Sequence, residues 1–122
     1  MKKILVVEDD KYLSGAYKVK LLKMGYDVQT ASDGDEALTV LKNYRPDLIL
    51  LDLIMPVKDG FVTLGEIKKN DNLKNIPVLI ATNLGQKEDI EKGMKLGAVD
   101  YLVKTDTSID DFVNKIQGIL KA

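Results

Sequence analysis

The sequence contains no cysteine, no histidine and no tryptophan. Without cysteine there is neither a disulfide nor a thiolate metal site to build on. Without histidine, imidazole drops out of every mechanism. No apolar run approaches transmembrane length, and the first strand pattern begins at Lys3, which leaves no room for a secretory leader. A cytoplasmic location is therefore the expectation. An excess of either charge is missing too: 18 Lys and Arg stand against 19 Asp and Glu, for a net charge of −1. Such a balance gives no general pull toward nucleic acid or an anionic membrane, and no basic stripe is interleaved with aromatics. Direct nucleic-acid binding and membrane association are not expected.

What remains is 122 residues, one domain's worth of chain, expected to fold as a single unit over 1–122. A chain of that size buries roughly two thirds of its unfolded surface, enough for a core without staples. Three segments, Ile4 to Val7, Leu48 to Leu51 and Val78 to Ala81, are continuously apolar and read as buried parallel strands. Tyr26 to Ala31 and Val99 to Lys104 are mixed and suit sheet edges.

Helical patterns alternate with these strands. Leu13, Tyr17, Leu21 and Met24 form one stripe, and Ala37, Leu38, Leu41 and Tyr44 a second. Phe61, Leu64 and Ile67 mark a third, and Ile109, Phe112, Val113, Ile116 and Leu120 the clearest. Asp33 with Glu36 and Ser108 with Asp111 have capping-box spacing at two helix starts. The helix from about Gln86 to Leu96 is weakest, with Gly93 inside it, and is expected to be the most mobile. Five strand–helix alternations imply an α/β fold, a doubly wound parallel sheet covered on both faces. With the mixed strands at the edges the order is 2-1-3-4-5, and ligands bind beyond the carboxyl ends at the switch between strands 1 and 3.

At those ends stand Glu8-Asp9-Asp10, Asp52, Thr82 and Lys104. Each has a plain structural role when taken alone: a helix cap, a loop carboxylate, a β-former, a solvated strand end. Their convergence is harder to explain that way. Two carboxylates ~4 Å apart repel by about 4 kcal/mol at an effective dielectric near 20. Lys104 offsets one charge. An oxygen-only cluster suits Mg²⁺ or Mn²⁺ for the rest. A carboxylate nucleophile, a hydroxyl, a cation and a metal are the equipment for phosphoryl transfer to an aspartate.

The blocks VVEDD, LLDLIMPVKDG, PVLIAT and GAVDYLVK, with their spacing, resemble the response-regulator receiver domain of two-component signalling over essentially the whole chain. The same strand order is what that family shows. The resemblance implies that Asp52 is the phosphoacceptor, loaded by a sensor histidine kinase or phosphotransfer protein. It implies direct Mg²⁺ contacts from Asp9, Asp52 and the backbone carbonyl of Ile54, with Glu8 acting mainly through metal-bound water. Thr82 matches the switch hydroxyl, Lys104 the lysine that pairs with the phosphoryl group, and Tyr101 the aromatic whose rotamer follows Thr82. Asp59-Gly60 reads as the turn into helix 3. The product is a signal rather than turnover: an altered surface of helix 4, strand 5 and helix 5 that controls an output partner or drives a phosphorylation-dependent homodimer.

Three features, at four positions, set the chain apart within the family. Thr105 follows Lys104 where the family has a cis proline. A non-proline cis bond costs ~2.5–4 kcal/mol, so the sequence leaves the geometry of this bond open. Asn83 stands where a small residue is usual. Ile54 and Leu84 offer nothing to orient an attacking water, from which a long-lived phospho-Asp52 follows. The rivals are an Asp-nucleophile phosphohydrolase, a flavodoxin-like nucleotide binder and a receiver that no longer switches. VVEDDKYL lacks the first rival's pattern of a strand-1 nucleophile followed two residues later by a second Asp and then a hydroxyl, and DDKYLSGA is too acidic for the second rival's phosphate loop. The chain fits a stand-alone regulator and an excised receiver equally.

Overall fold

The computed structural model describes residues 1–121. It contains β1 (Lys3–Val7), α1 (Lys11–Lys23), β2 (Asp27–Ala31), α2 (Gly34–Val40) and β3 (Leu48–Leu51), followed by α3 (Gly60–Lys69) and β4 (Val78–Thr82). The chain then forms α4 (Lys87–Lys95), β5 (Asp100–Val103), a 3₁₀ turn over Lys104–Asp106, and α5 (Ile109–Lys121). All strand pairs are parallel, in the order β2-β1-β3-β4-β5. This is the expected doubly wound sheet with its mixed strands at the edges.

Alternation along the strands feeds two cores. Leu5, Val7, Ile49, Leu51, Val78 and Ile80 face one side, where Ala37 of α2 and Leu64 and Ile67 of α3 cover them. Ile4, Val6, Leu48, Leu50 and Leu79 face the other, beneath Tyr17 and Leu21 of α1 and Phe112, Val113 and Ile116 of α5. The rings of Tyr17 and Phe112 meet edge to face, 5.4 Å apart, and join those two helices. Because the central strands are buried on both sides, they carry no polar alternation.

The helix starts follow local chemistry. Asp10 accepts from the amides of Tyr12 and Leu13 at the head of α1, and Asp59 accepts from Val62 N at the head of α3. Ser108 and Asp111 form a reciprocal capping box on α5. At α2 the box is altered: Asp33 accepts from Glu36 N, but the Glu36 carboxylate turns to Ser32. The second stripe also outruns its helix. Leu41 and Tyr44 are buried but lie past Val40, in the turns before Arg45-Pro46.

α4 has no side-chain cap, and Gly93 is its one buried residue. That glycine has a packing reason, since a Cβ there would stand 2.6 Å from Ile80 Cδ1 and 3.2 Å from the Tyr101 ring. It lets a thinly anchored helix approach β4 and β5 closely.

Candidate functional site

Register brings the polar strand ends together. Val7 pairs with Leu51, so Glu8 and Asp52 each begin the first step beyond the sheet. Asp52 N still donates to Val7 O at 3.0 Å, and Glu8 N to Ala31 O at 2.9 Å. Thr82 closes β4 opposite Val103, which puts Lys104 at the same rim. The carboxylates of Glu8, Asp9 and Asp52 lie within 4.8 Å of one another.

Burial differs sharply inside the acidic triplet. Glu8 is only 4% exposed and Asp52 5%, whereas Asp9 is open to solvent. Asp10 is spent on the helix cap. The plain capping role therefore belongs to one member of the triplet, and the other two are free for the rim.

Lys104 Nζ bridges the buried pair, with a short contact to Glu8 Oε1 and a 3.1 Å contact to Asp52 Oδ2. Burial disfavours the ammonium, but the carboxylates of Glu8 and Asp52 outweigh it and hold the Lys104 pKa above its ordinary value. At Glu8 burial prevails over the lysine and, helped by the charge of Asp52, pushes the carboxyl up to about 7. One ammonium is thus too little positive charge for three carboxylates. At the outer limit of 4.8 Å, a like-charged pair costs about 3.5 kcal/mol at an effective dielectric of 20.

Asp52 Oδ1 accepts the Ile54 amide at 3.3 Å, so the β3–α3 loop folds back over the carboxylate. Ile54 itself is half exposed. Gly60 closes this loop: its N–H reaches Leu53 O at 3.0 Å. A Cβ at Gly60 would lie 2.3 Å from Asp52 O, so no larger residue fits without moving the site. Thr82 is fully buried, and its hydroxyl accepts the Leu84 amide at 3.4 Å. Tyr101 donates its hydroxyl to Leu84 O at 2.5 Å. Burial, reinforced by Asp89 and Asp52, pushes that phenol up to about 12. All peptide bonds of the described residues are trans, so Lys104–Thr105 is trans. The lysine loop takes a 3₁₀ turn there, closed by Thr107 Oγ1 on Val103 O at 2.9 Å.

A family model for the response regulator receiver domain matches residues 4–117. The chain belongs to the response-regulator receiver family. The receiver is 36% identical over 121 residues to the DNA-binding dual master transcriptional regulator RpaA of Synechocystis, covering 99% of this chain and 50% of that protein. It therefore spans about half the length of such curated relatives. Among solved structures, the receiver domain of the Francisella response regulator 1452 superposes with a TM-score of 0.90 at 35% identity, covering 99% of this chain and 98% of that one. The Mn²⁺-bound form of response regulator Rcp1 superposes at 0.81 with 35% identity, covering 98% of this chain and 91% of that one.

The predicted residues Glu8, Asp9, Asp52 and Lys104 converge on this receiver's rim. Thr82 and Tyr101 meet through Leu84. The acidic trio fits a hard divalent ion: its donors are all oxygen, they lie within 4.8 Å, and they carry more negative charge than Lys104 balances. Sequence reasoning missed Lys58, whose partners lie on two helices at no periodic spacing. It also missed the Lys92 ammonium, 4.3 Å over the Phe61 ring, which ties α4 to α3. Among the described residues no helix is long and apolar enough to cross a membrane.

Proposed function

We propose that this receiver accepts a phosphoryl group on Asp52 from a sensor histidine kinase or phosphotransfer protein, with Mg²⁺ (or Mn²⁺) held by Asp9, Asp52 and the Ile54 carbonyl, and by Glu8 through water. The observation that carries the reading is the buried Asp52 carboxylate at the end of β3, oriented by Lys104 and Ile54 N–H beside two further carboxylates. A bound divalent cation would supply neutralisation of the charge on the transferring oxygens.

The chain's own residues do the rest. An ionised Asp52 needs no general base. One of its oxygens attacks phosphorus in line, the bond from phosphorus to the donor breaks, and the bonding electrons leave with the donor. Lys104 exchanges a carboxylate partner for a phosphoryl oxygen. Thr82 gives up its contact with Leu84 N–H and donates its hydroxyl to the new group. Tyr101, bonded to Leu84 O and packed on Gly93, carries that change to α4 and β5. Ile54 and Leu84 leave hydrolytic water unoriented, and the acyl phosphate is long-lived.

In this reading the module, over 1–122, is cytoplasmic and signals without turnover. It controls an output partner, or pairs with a second copy, through the surface of α4, β5 and α5. Contact with DNA, as in the name of the Synechocystis relative, would come from other segments or partners.

The test is heteronuclear NMR with Mg²⁺ and beryllofluoride, an acyl-phosphate mimic. Amides of Thr82, Leu84, Tyr101 and α4 are expected to shift, and the Asp52→Asn variant to remain unchanged. Shifts confined to the loops around Asp52 would overturn the switch.

A further inference from the structure

The loop from Asp52 to Gly60 is held by a device of its own. Lys58 N donates to Pro56 O at 2.7 Å, which makes a three-residue turn centred on Val57. Val57 has φ +68°, the sole non-glycine residue with positive φ among the described residues. Turns of this kind are rare and strained, and a β-branched residue suits them badly. Nothing apolar holds Val57 there, since it is 79% exposed.

The restraint comes from its neighbour. Lys58 Nζ lies 2.8 and 2.9 Å from the two oxygens of Glu66 on α3, and 3.0 Å from Asp35 Oδ1 in the first turn of α2. Those carboxylates hold its pKa above the ordinary value. Its stem runs over Gly34, where a Cβ would stand 3.1 Å from Lys58 Cγ and Cδ and 2.0 Å from Thr63 Oγ1. The side chain is 22% exposed and fixed at both stem and head, unlike a loose surface lysine.

We propose that Lys58 is a positioning residue: by pinning the strained Val57 turn to α2 and α3 it sets the β3–α3 loop over Asp52, and so tunes divalent-cation affinity at the rim. The inference rests on the metal-binding reading above. It assigns to Lys58 an indirect role, through the backbone that carries Ile54.

The experiment compares Lys58→Met, which keeps the stem and loses the charge, with Lys58→Arg and with Lys58→Met/Val57→Gly. Mg²⁺ affinity is measured by calorimetry. Backbone chemical shifts of residue 57 and amide exchange at residue 58 are followed without metal. Displacement of the loop that carries the Ile54 carbonyl is expected to weaken Mg²⁺ binding about tenfold in Lys58→Met, with residue 57 leaving the left-handed range. Lys58→Arg should keep most of the affinity. Glycine at 57 accepts positive φ without strain and should recover most of what Lys58→Met loses. Unchanged affinity and unchanged residue-57 shifts in Lys58→Met would overturn the proposal, as would a lower melting temperature with no change in either. If the wild-type chain itself does not bind Mg²⁺, the metal reading fails instead, and the metal-free shifts still judge the clamp.

Discussion

Leu50 and Asp52 stand two residues apart at the end of β3, and both are nearly solvent-free, at 2% and 5% exposure. Leu50 lies in an apolar cluster with Tyr17, Leu21 and Phe112, where burying its side chain is favourable. Asp52 lies among Glu8, Asp9 and Lys104, where burial strips water from charges that outnumber their partner. The same backbone thus carries a region that stabilises the fold and, one step further, a region strained by its own charge. The excess of negative charge at the rim could be met by a divalent cation held between Glu8, Asp9 and Asp52. Relieving its charge should raise stability, the reverse of what disturbing the core does.

The largest effect should come from the core. Leu50→Ala is expected to cost about 2–5 kcal/mol by denaturant unfolding, through lost burial and a residual cavity. Next comes Lys104→Met, which removes the bridging ammonium and leaves Glu8 and Asp52 facing each other. The metal-free protein should lose about 2–3 kcal/mol at pH 8 and less at pH 5, where Glu8 can take a proton. A loss of the same size at both pH values would break the contrast.

Smaller again is the pH effect of Glu8, whose ordinary value of 4.5 is raised to about 7 by burial. Between those values the folded state holds a proton that the unfolded state has released. This contribution is therefore complete below about 4.5 and falls away as pH rises through 7. In EDTA the decline should be on the order of 1–2 kcal/mol once solvent screening is allowed for, and Mg²⁺ or Glu8→Gln should flatten it. The smallest is Asp52→Asn, which removes one like charge and should stabilise the metal-free protein by about 1 kcal/mol. If it destabilises, the rim is not electrostatically strained and the contrast with Leu50 fails.

Much of this was legible in the chain. The continuous apolar runs at β1, β3 and β4 declared themselves because both faces of those strands are buried. The mixed runs at β2 and β5 declared the edges, and together they set which polar residues share a rim. The ranking within Glu8-Asp9-Asp10 was not legible. One residue caps α1, one is buried and one is open, and only the direction of the chain leaving β1 decides which. The stripe through Leu41 and Tyr44 predicted more helix than exists, because side chains in successive turns bury themselves as well as those on a helix do. Gly93 looked like a weakness in α4 and proved to be a packing requirement against Ile80 and Tyr101. Lys58 was silent because its partners, Asp35 and Glu66, lie on elements whose approach is a tertiary fact.

The central claim is that Asp52 receives the phosphoryl group with a divalent cation at its side. Intact mass after incubation with acetyl phosphate tests it most directly, run with Mg²⁺, with EDTA and on Asp52→Asn. The account predicts gain of one phosphoryl group with Mg²⁺ alone, absent in EDTA and in the variant. An unmodified mass in a chain that demonstrably binds Mg²⁺, or equal modification of Asp52→Asn, would contradict it.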